Sequence, residues 1–256
     1  MNGQSSIVLL IGASHAAFAA RCAREIPSIR AVVLEHRSVS LKLRLLRRRV
    51  RKLGIGTVMG QVACRLLRPR QHTPLASPSS AQFPDYCQVL KVKDINSAVV
   101  SALLRQLKPD RAGVYGTSIL KGELLDALPP DCVNLHGGLT QFYRGQAASF
   151  WAIHDGHPER VGFTLHTVDR GIDTGSIIHC QACDVAAVNA ASSIAEINDL
   201  VAATGEAALL TWLRQGSTAF ASNKPSPSAS QQERGKYFSE PTWSEYRTMQ
   251  RKSKKR

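Results

Sequence analysis

No apolar run in these 256 residues is long enough to cross a bilayer as a helix, so a membrane span is not expected. The first apolar run, Ile7–Ile11, is short and follows no basic residue, which argues against a secretory leader. Negative charge is scarce: 19 Asp and Glu stand against 33 Lys and Arg, a net charge of +14. Such an imbalance points to an anionic partner: a nucleotide, a phosphorylated small molecule, nucleic acid or a membrane surface. The six cysteines are scattered through a chain too large to need disulfide staples, which suits a reducing cytoplasm. Cys180 and Cys183 have zinc-like spacing, but no second Cys or His pair follows, and a strand turns positions i and i+3 to opposite faces. No metal is expected. A dinucleotide fingerprint is missing too, because Gly12-Ala13-Ser14 lacks the later glycines. No internal repeat is visible.

What the chain does have is concentrated between Asp131 and Cys180. Cys132-Val133 runs into Asn134-Leu135-His136, and strand alternation puts Asn134 and His136 on one side. Gly137-Gly138 then lets the backbone turn at the strand end, where α/β proteins build their sites. Two β-rich runs, Val161–Val168 and Ser176–Ala182, flank a loop from Asp169 to Gly175 that carries Asp169 and Asp173. An amide, an imidazole and a carboxylate can meet there, which is enough equipment for transfer of an acyl group.

Around this stretch the pattern alternates. Ser5–Gly12 reads as a buried strand and Ala13–Ile26 as a helix with Ser14 as its cap. Strands follow at Ala31–Leu34, Cys87–Val92 and Ala112–Gly116, and helices at Ser97–Leu107, Ile119–Leu128 and Ser192–Leu213. Asp94-Ile95-Asn96 is expected to cap the helix at Ser97. The fold class is therefore α/β: a Rossmann-like, doubly wound, mostly parallel sheet closed by an antiparallel strand pair, with a short C-terminal extension. Residues 1–215 form the expected catalytic domain. Residues 216–256 form a linker (Gly216–Gln232), an aromatic segment that docks back (Gly235–Trp243) and a basic end. Arg70–Pro84 reads as a loop. Residues 38–70 are a helical insertion in which Leu43, Leu46, Val50 and Leu53 fall at helical spacing among Arg44, Arg47, Arg48, Arg51 and Lys52. Those cations are either a solvated face or a contact surface for phosphates, anionic lipid or RNA.

Four blocks in register resemble the folate-dependent formyltransferase family: Asn134-Leu135-His136, Tyr143-Arg144-Gly145, Gly162-Phe163-Thr164-Leu165-His166, and Asp169 to Gly175. The likeness continues through Trp151-Ala152-Ile153. One departure is Gln141, where the family usually has proline, a change expected to loosen the turn. The resemblance implies catalysis by Asn134, His136 and Asp173, with 10-formyltetrahydrofolate as co-substrate. Its pterin is expected between Tyr115, Gly116 and Thr117 on one side and Val168, Asp169, Gly171 and Ile172 on the other. His166 is expected to be a structural hydrogen-bonder and Arg144 a loop organiser, with acceptor binding by Arg144 and Gly145 the weaker alternative.

Within that family the acceptor expected is a primary amine on a small anionic molecule, a nucleotide-linked amino sugar. Residues 222–256 look too short and too rich in Ser and Pro for the C-terminal domain of the methionyl-tRNA enzyme. The first strand, beginning at Ser5, leaves no room for the N-terminal domain of the formyl-folate hydrolase. Gly12-Ala13-Ser14-His15 matches the phosphate loop of the glycinamide-ribonucleotide enzymes poorly. A homodimer is allowed. The non-enzyme alternative is a basic nucleic-acid-binding protein on the same fold, which the presence of all three polar residues opposes.

Overall fold

A computed structural model describes residues 6–67, 81–223 and 235–253. In chain order its first half comprises β1 (Ile7–Gly12), α1 (Ala16–Glu25), β2 (Ile29–Glu35), α2 (Val39–Leu53), α3 (Ile55–Leu67), β3 (Gln88–Val92), α4 (Ala98–Leu107), β4 (Arg111–Tyr115) and α5 (Glu123–Ala127). The second half comprises β5 (Asp131–His136), β6 (Tyr143–Gly145), α6 (Ala148–Asp155), β7 (Gly162–Thr167), β8 (Ile177–Ala182), α7 (Val185–Ala190), α8 (Ile194–Gln215), β9 (Lys236–Phe238) and α9 (Trp243–Ser253).

Strand β1 is buried at every position, as a central parallel strand covered on both faces must be. Its side chains alternate between two cores. Ile7, Leu9 and Ile11 join α1 and α8 in the larger one, and Val8 and Leu10 join Val100, Leu104 and Leu124 in the smaller. The main sheet has seven strands in the order β3-β2-β1-β4-β5-β7-β8. β1 to β5 run parallel, while β7 pairs antiparallel with both β5 and β8. The winding reverses between β1 and β4, so the carboxyl ends of these strands open a crevice of the kind in which α/β proteins hold ligands.

Several expectations change in detail. Ser5 lies outside the described residues, and β2 begins at Ile29 rather than Ala31. The first helical turn, Ala13–His15, is a 3-10 turn, and Ser14 is exposed and caps nothing. The residue ahead of α4 is Ser97, and Asp94 instead closes a local turn by accepting from Asn96 N at 3.0 Å. The helix expected at Ile119–Leu128 shrinks to α5, between the positive-φ Gly122 and the Pro129-Pro130 break. α7, absent from the sequence reading, is short and capped by Asp184. The start of the expected linker is not a loop: residues Gly216–Asn223 form 3-10 turns, and Phe220 is buried with its ring stacked 4.3 Å from His179. The remaining linker residues 224–232, the loop residues 68–80 and the last basic residues 254–256 lie outside the described residues.

The segment after residue 235 docks on the body through its backbone. β9 pairs in parallel with β6, Tyr143 opposite Lys236 and Gly145 opposite Phe238. Trp151 Nε1 donates to Ser239 O at 2.9 Å. Beyond it, α9 packs against α3 and α6, with Tyr246 and Met249 buried in the main core. Among the described residues no helix is long and apolar enough to cross a membrane, and no group of three His, Cys, Asp or Glu residues is arranged to hold a metal.

Candidate active site

The site begins with a cross-strand pair. β5 and β7 set Asn134 directly opposite His166, and Asn134 Nδ2 lies 3.1 Å from His166 Nε2. His166 Nδ1 is 2.9 Å from Thr167 O. A carbonyl only accepts, so Nδ1 carries a proton, and a bare Nε2 accepts from Asn134. That fixes which way the amide faces, and one N–H of the same NH₂ remains for a ligand oxygen. Two residues on, His136 ends the strand. The Gly137-Gly138 turn behind it is pinned by the buried Thr164, whose Oγ1 donates to Gly138 O at 2.8 Å.

Asp173 comes from the β7–β8 loop. Asp169 staples that loop, accepting from Gly171 N at 2.9 Å and from Thr174 Oγ1 at 2.7 Å. Asp173 sits at φ 52°, a left-handed conformation that Asp and Asn tolerate better than most residues. In that pose Oδ2 accepts from Gly145 N at 3.1 Å. His136 Nδ1 and His166 Nε2 each lie 3.6 Å from one of its oxygens. These two distances are too long for hydrogen bonds but short enough for charges to interact strongly.

The environment separates the two titrating groups. Burial dominates at His136 and, against the opposing pull of Asp173, lowers its pKa below the ordinary 6.5. Burial alone would raise Asp173. The nearby His166 and His136 rings and the Gly145 N–H outweigh it and hold Asp173 below its ordinary 3.8. Near neutrality the pair is therefore a neutral imidazole beside a carboxylate. The carboxylate favours the tautomer with its proton on Nδ1, which leaves Nε2 as a lone pair. That Nε2 is buried and has no hydrogen-bond partner.

Asn134, His136, Asp173 and His166 line one cavity of ≈ 400 Å³, together with Tyr115, Gly116, Thr117, Val168, Asp169, Gly171, Ile172 and Gly145. Arg144 is absent from the lining. Its Nε donates to Gly235 O at 2.7 Å, tying down the tail. Gln141 does not open its turn: the Leu139 carbonyl accepts from both Phe142 N and Tyr143 N at 2.9 Å. The sequence reading missed the walls contributed by Ser118–Leu120, Gln146–Ala148 and Tyr237. It also missed Glu35, a buried carboxylate at the end of β2 that accepts from Ser118 N at 2.6 Å and Ile95 N at 3.2 Å. An acidic residue closing an apolar strand was the available sign. Ser118 Oγ, like His136 Nε2, is buried without a partner, so two residues of the lining carry an unpaired polar atom.

An open parallel sheet with an amide, an imidazole and a carboxylate gathered at its carboxyl edge is the build of an α/β group-transfer enzyme. Residues 4–212 match the family model described as formyl transferase, and the chain belongs to that family. The methionyl-tRNA formyltransferase of Anaeromyxobacter sp. (strain K) is 34% identical over 128 residues, covering 49% of this chain and 39% of the relative. That of Desulforamulus reducens is 28% identical over 159 residues, covering 61% and 44%. The matches thus span less than half the length of these curated relatives. Among solved structures, a sugar N-formyltransferase from Shewanella sp FDAARGOS_354 superimposes with a TM-score of 0.55 at 14% identity, covering 91% of this chain and 76% of that one. Phosphoribosylglycinamide formyltransferase from Streptococcus pneumoniae TIGR4 gives 0.53 at 18%, covering 82% and 98%. At these identities both establish the fold alone.

Proposed function

We propose that this chain transfers the formyl group of 10-formyltetrahydrofolate to a primary amine on a small anionic acceptor, a nucleotide-linked amino sugar. The observation that carries the reaction type is the single cavity holding Asn134, the unpartnered Nε2 of His136 and the ionised Asp173 beside backbone able to read a pterin. The neutral amine attacks the formyl carbon. The free N–H of Asn134 faces the developing oxyanion, a contact whose loss typically lowers turnover by ~10²–10³-fold. The amine proton passes to the His136–Asp173 pair, and the C–N bond to the folate nitrogen breaks as that nitrogen regains a proton. His166 does not itself act on the substrate in this scheme. It keeps Asn134 facing the cavity.

Two features favour the acceptor class. The positive balance of the chain draws anions. Tyr237, 43% exposed and part of the cavity wall, offers a ring on which a base can stack. A second acceptor, methionyl-tRNA, is favoured by the names of the relatives matched in sequence. The test is to offer labelled formyl-folate with a panel of nucleotide-linked amino sugars and, separately, methionyl-tRNA. Label should appear on a sugar amine. Comparable formylation of the tRNA would overturn the acceptor while leaving the reaction standing, and steady formate release without any acceptor would overturn both.

A further inference from the structure

Helices α2 and α3 form a hairpin broken by Gly54, at φ 81°. The hairpin is tethered along one side only. α3 buries Val58, Gln61 and Cys64, and Gln61 is held by Glu240 O at 2.7 Å and by Arg49 at 2.6 Å. Of α2, Leu41 alone is buried. Val50 and Leu53 are half-buried, but most of the other apolar side chains face outward. Val39, Leu43 and Leu46 on α2 follow the i, i+4, i+7 spacing of one helix face, and all are exposed. Ile55, Met59, Val62 and Leu66 on α3 repeat it, at 70%, 61%, 40% and 67% exposure. An ordinary solvated helix carries polar residues on such a face, so two exposed apolar stripes on adjacent helices need an occupant.

Charge identifies the occupant. From Val39 to Leu67 the sequence carries Lys42, Arg44, Arg47, Arg48, Arg49, Arg51, Lys52 and Arg65, and no carboxylate. Arg44, Arg47, Arg48 and Arg51 are exposed and pair with no described carboxylate. A second copy of the same hairpin would set this cationic surface against itself. A polynucleotide would satisfy the charge but not the stripes, which are aliphatic: residues 39–67 contain no aromatic ring on which a base can stack. An anionic bilayer satisfies both, taking the aliphatic side chains below its headgroups and the arginines among its phosphates.

We propose that the α2–α3 hairpin docks this protein on anionic lipid membranes as an interfacial element. It adjoins the cavity: Lys52 Nζ lies 5.5 Å over the ring of Tyr237, which belongs to the cavity wall. Docking therefore brings the cavity close to the lipid surface.

The experiment is flotation of the full chain with vesicles of phosphatidylcholine, with and without phosphatidylglycerol. Binding is expected only to the anionic vesicles. Changing Arg44, Arg47, Arg48 and Arg51 to Gln should lower the partition coefficient by roughly 10²–10³-fold, from ~1 kcal/mol per basic residue at such a surface. Changing Leu43, Leu46, Ile55 and Met59 to Gln, with every cation kept, should lower it by at least about ten-fold. Val62→Gln with Leu66→Gln provides an independent pair confined to α3. All these side chains are exposed, and circular dichroism should show an unchanged fold. The proposal is overturned if anionic vesicles are not bound, or if the apolar variants bind them as well as the native chain. Single-stranded RNA bound more tightly than vesicles at equal salt, and equally by the apolar variants, would overturn it in favour of a polynucleotide surface. A dimer in sedimentation that the apolar substitutions dissociate, with no vesicle binding, would overturn it in favour of a second copy.

Discussion

Replacing Asp173 by Asn removes one charge and little else. Asn keeps the side-chain shape and, like Asp, accepts the left-handed backbone found here at φ 52°, whereas Ala would add strain to the loss of the carboxylate. The Gly145 N–H still finds a side-chain oxygen. What disappears is the attraction between the carboxylate and a His136 imidazolium that forms when the amine proton is taken up. Two unit charges 3.6 Å apart attract by about 4–5 kcal/mol at an effective dielectric of ~20. At ~1.4 kcal/mol per factor of ten, that sets a ceiling near 10³-fold. A loss of turnover of about 10²–10³-fold is expected, with the affinity for formyl-folate little changed because the walls proposed for the pterin lie on other residues. Release of tetrahydrofolate in the presence of a formylatable amine measures the first quantity, and ligand titration by intrinsic fluorescence the second. Turnover within about three-fold of the native chain, at unchanged melting temperature, would show that the carboxylate does not support the proton transfer.

Further outcomes follow from the same geometry. Asn134→Ala should lower turnover by ~10²–10³-fold with formyl-folate binding retained, as steady-state rates and titration would show. The His136 pKa lies below its ordinary 6.5, so on acidification the unfolded chain takes up this proton first. The stability concerned is full above 6.5 and is lost as the pH falls through the folded pKa of His136. Asp173, held below 3.8, adds a second loss further down. Melting temperature scanned against pH should therefore drop on the acid side, and less steeply in His136→Gln. Gly145→Ala drives a methyl carbon against Phe238 O at a residue with φ +91°. It should destabilise tail docking by about 1–3 kcal/mol, visible as faster proteolytic release of the segment after residue 235.

Much of this was legible in the sequence because it rested on short-range rules. Asn134 and His136 share a side because a strand alternates, and β1 is an apolar run of strand length. Asp169, Gly171 and Asp173 could be placed together because one tight loop holds them. What stayed hidden needed distant partners. Nothing near Tyr237 in sequence says that it walls a cavity whose other members lie between residues 114 and 173. Arg144 was expected to organise its loop, but the partner that holds it, Gly235 O, comes from the distant tail. The short β6 read as a turn because three residues declare themselves a strand only when β9 arrives. Glu35 escaped notice because its partners, Ser118 N and Ile95 N, lie 60 residues or more away in the chain. The shortened α5 is a boundary error of the ordinary kind, set by the glycine and prolines around it.

The pairing of β9 with β6 also has a consequence for the order in which the protein matures on the ribosome. Synthesis runs from the N-terminus, so the seven-stranded sheet and the Asp173 loop can emerge and pack before residue 235 is made. Gly145, which donates to Asp173, then lacks the neighbouring strand that fixes its backbone. A nascent chain at that stage has the side chains proposed for catalysis but an unbraced carboxylate and a cavity open on the Tyr237 side. The brace arrives with the segment after residue 235, by strand addition, once the main sheet has formed.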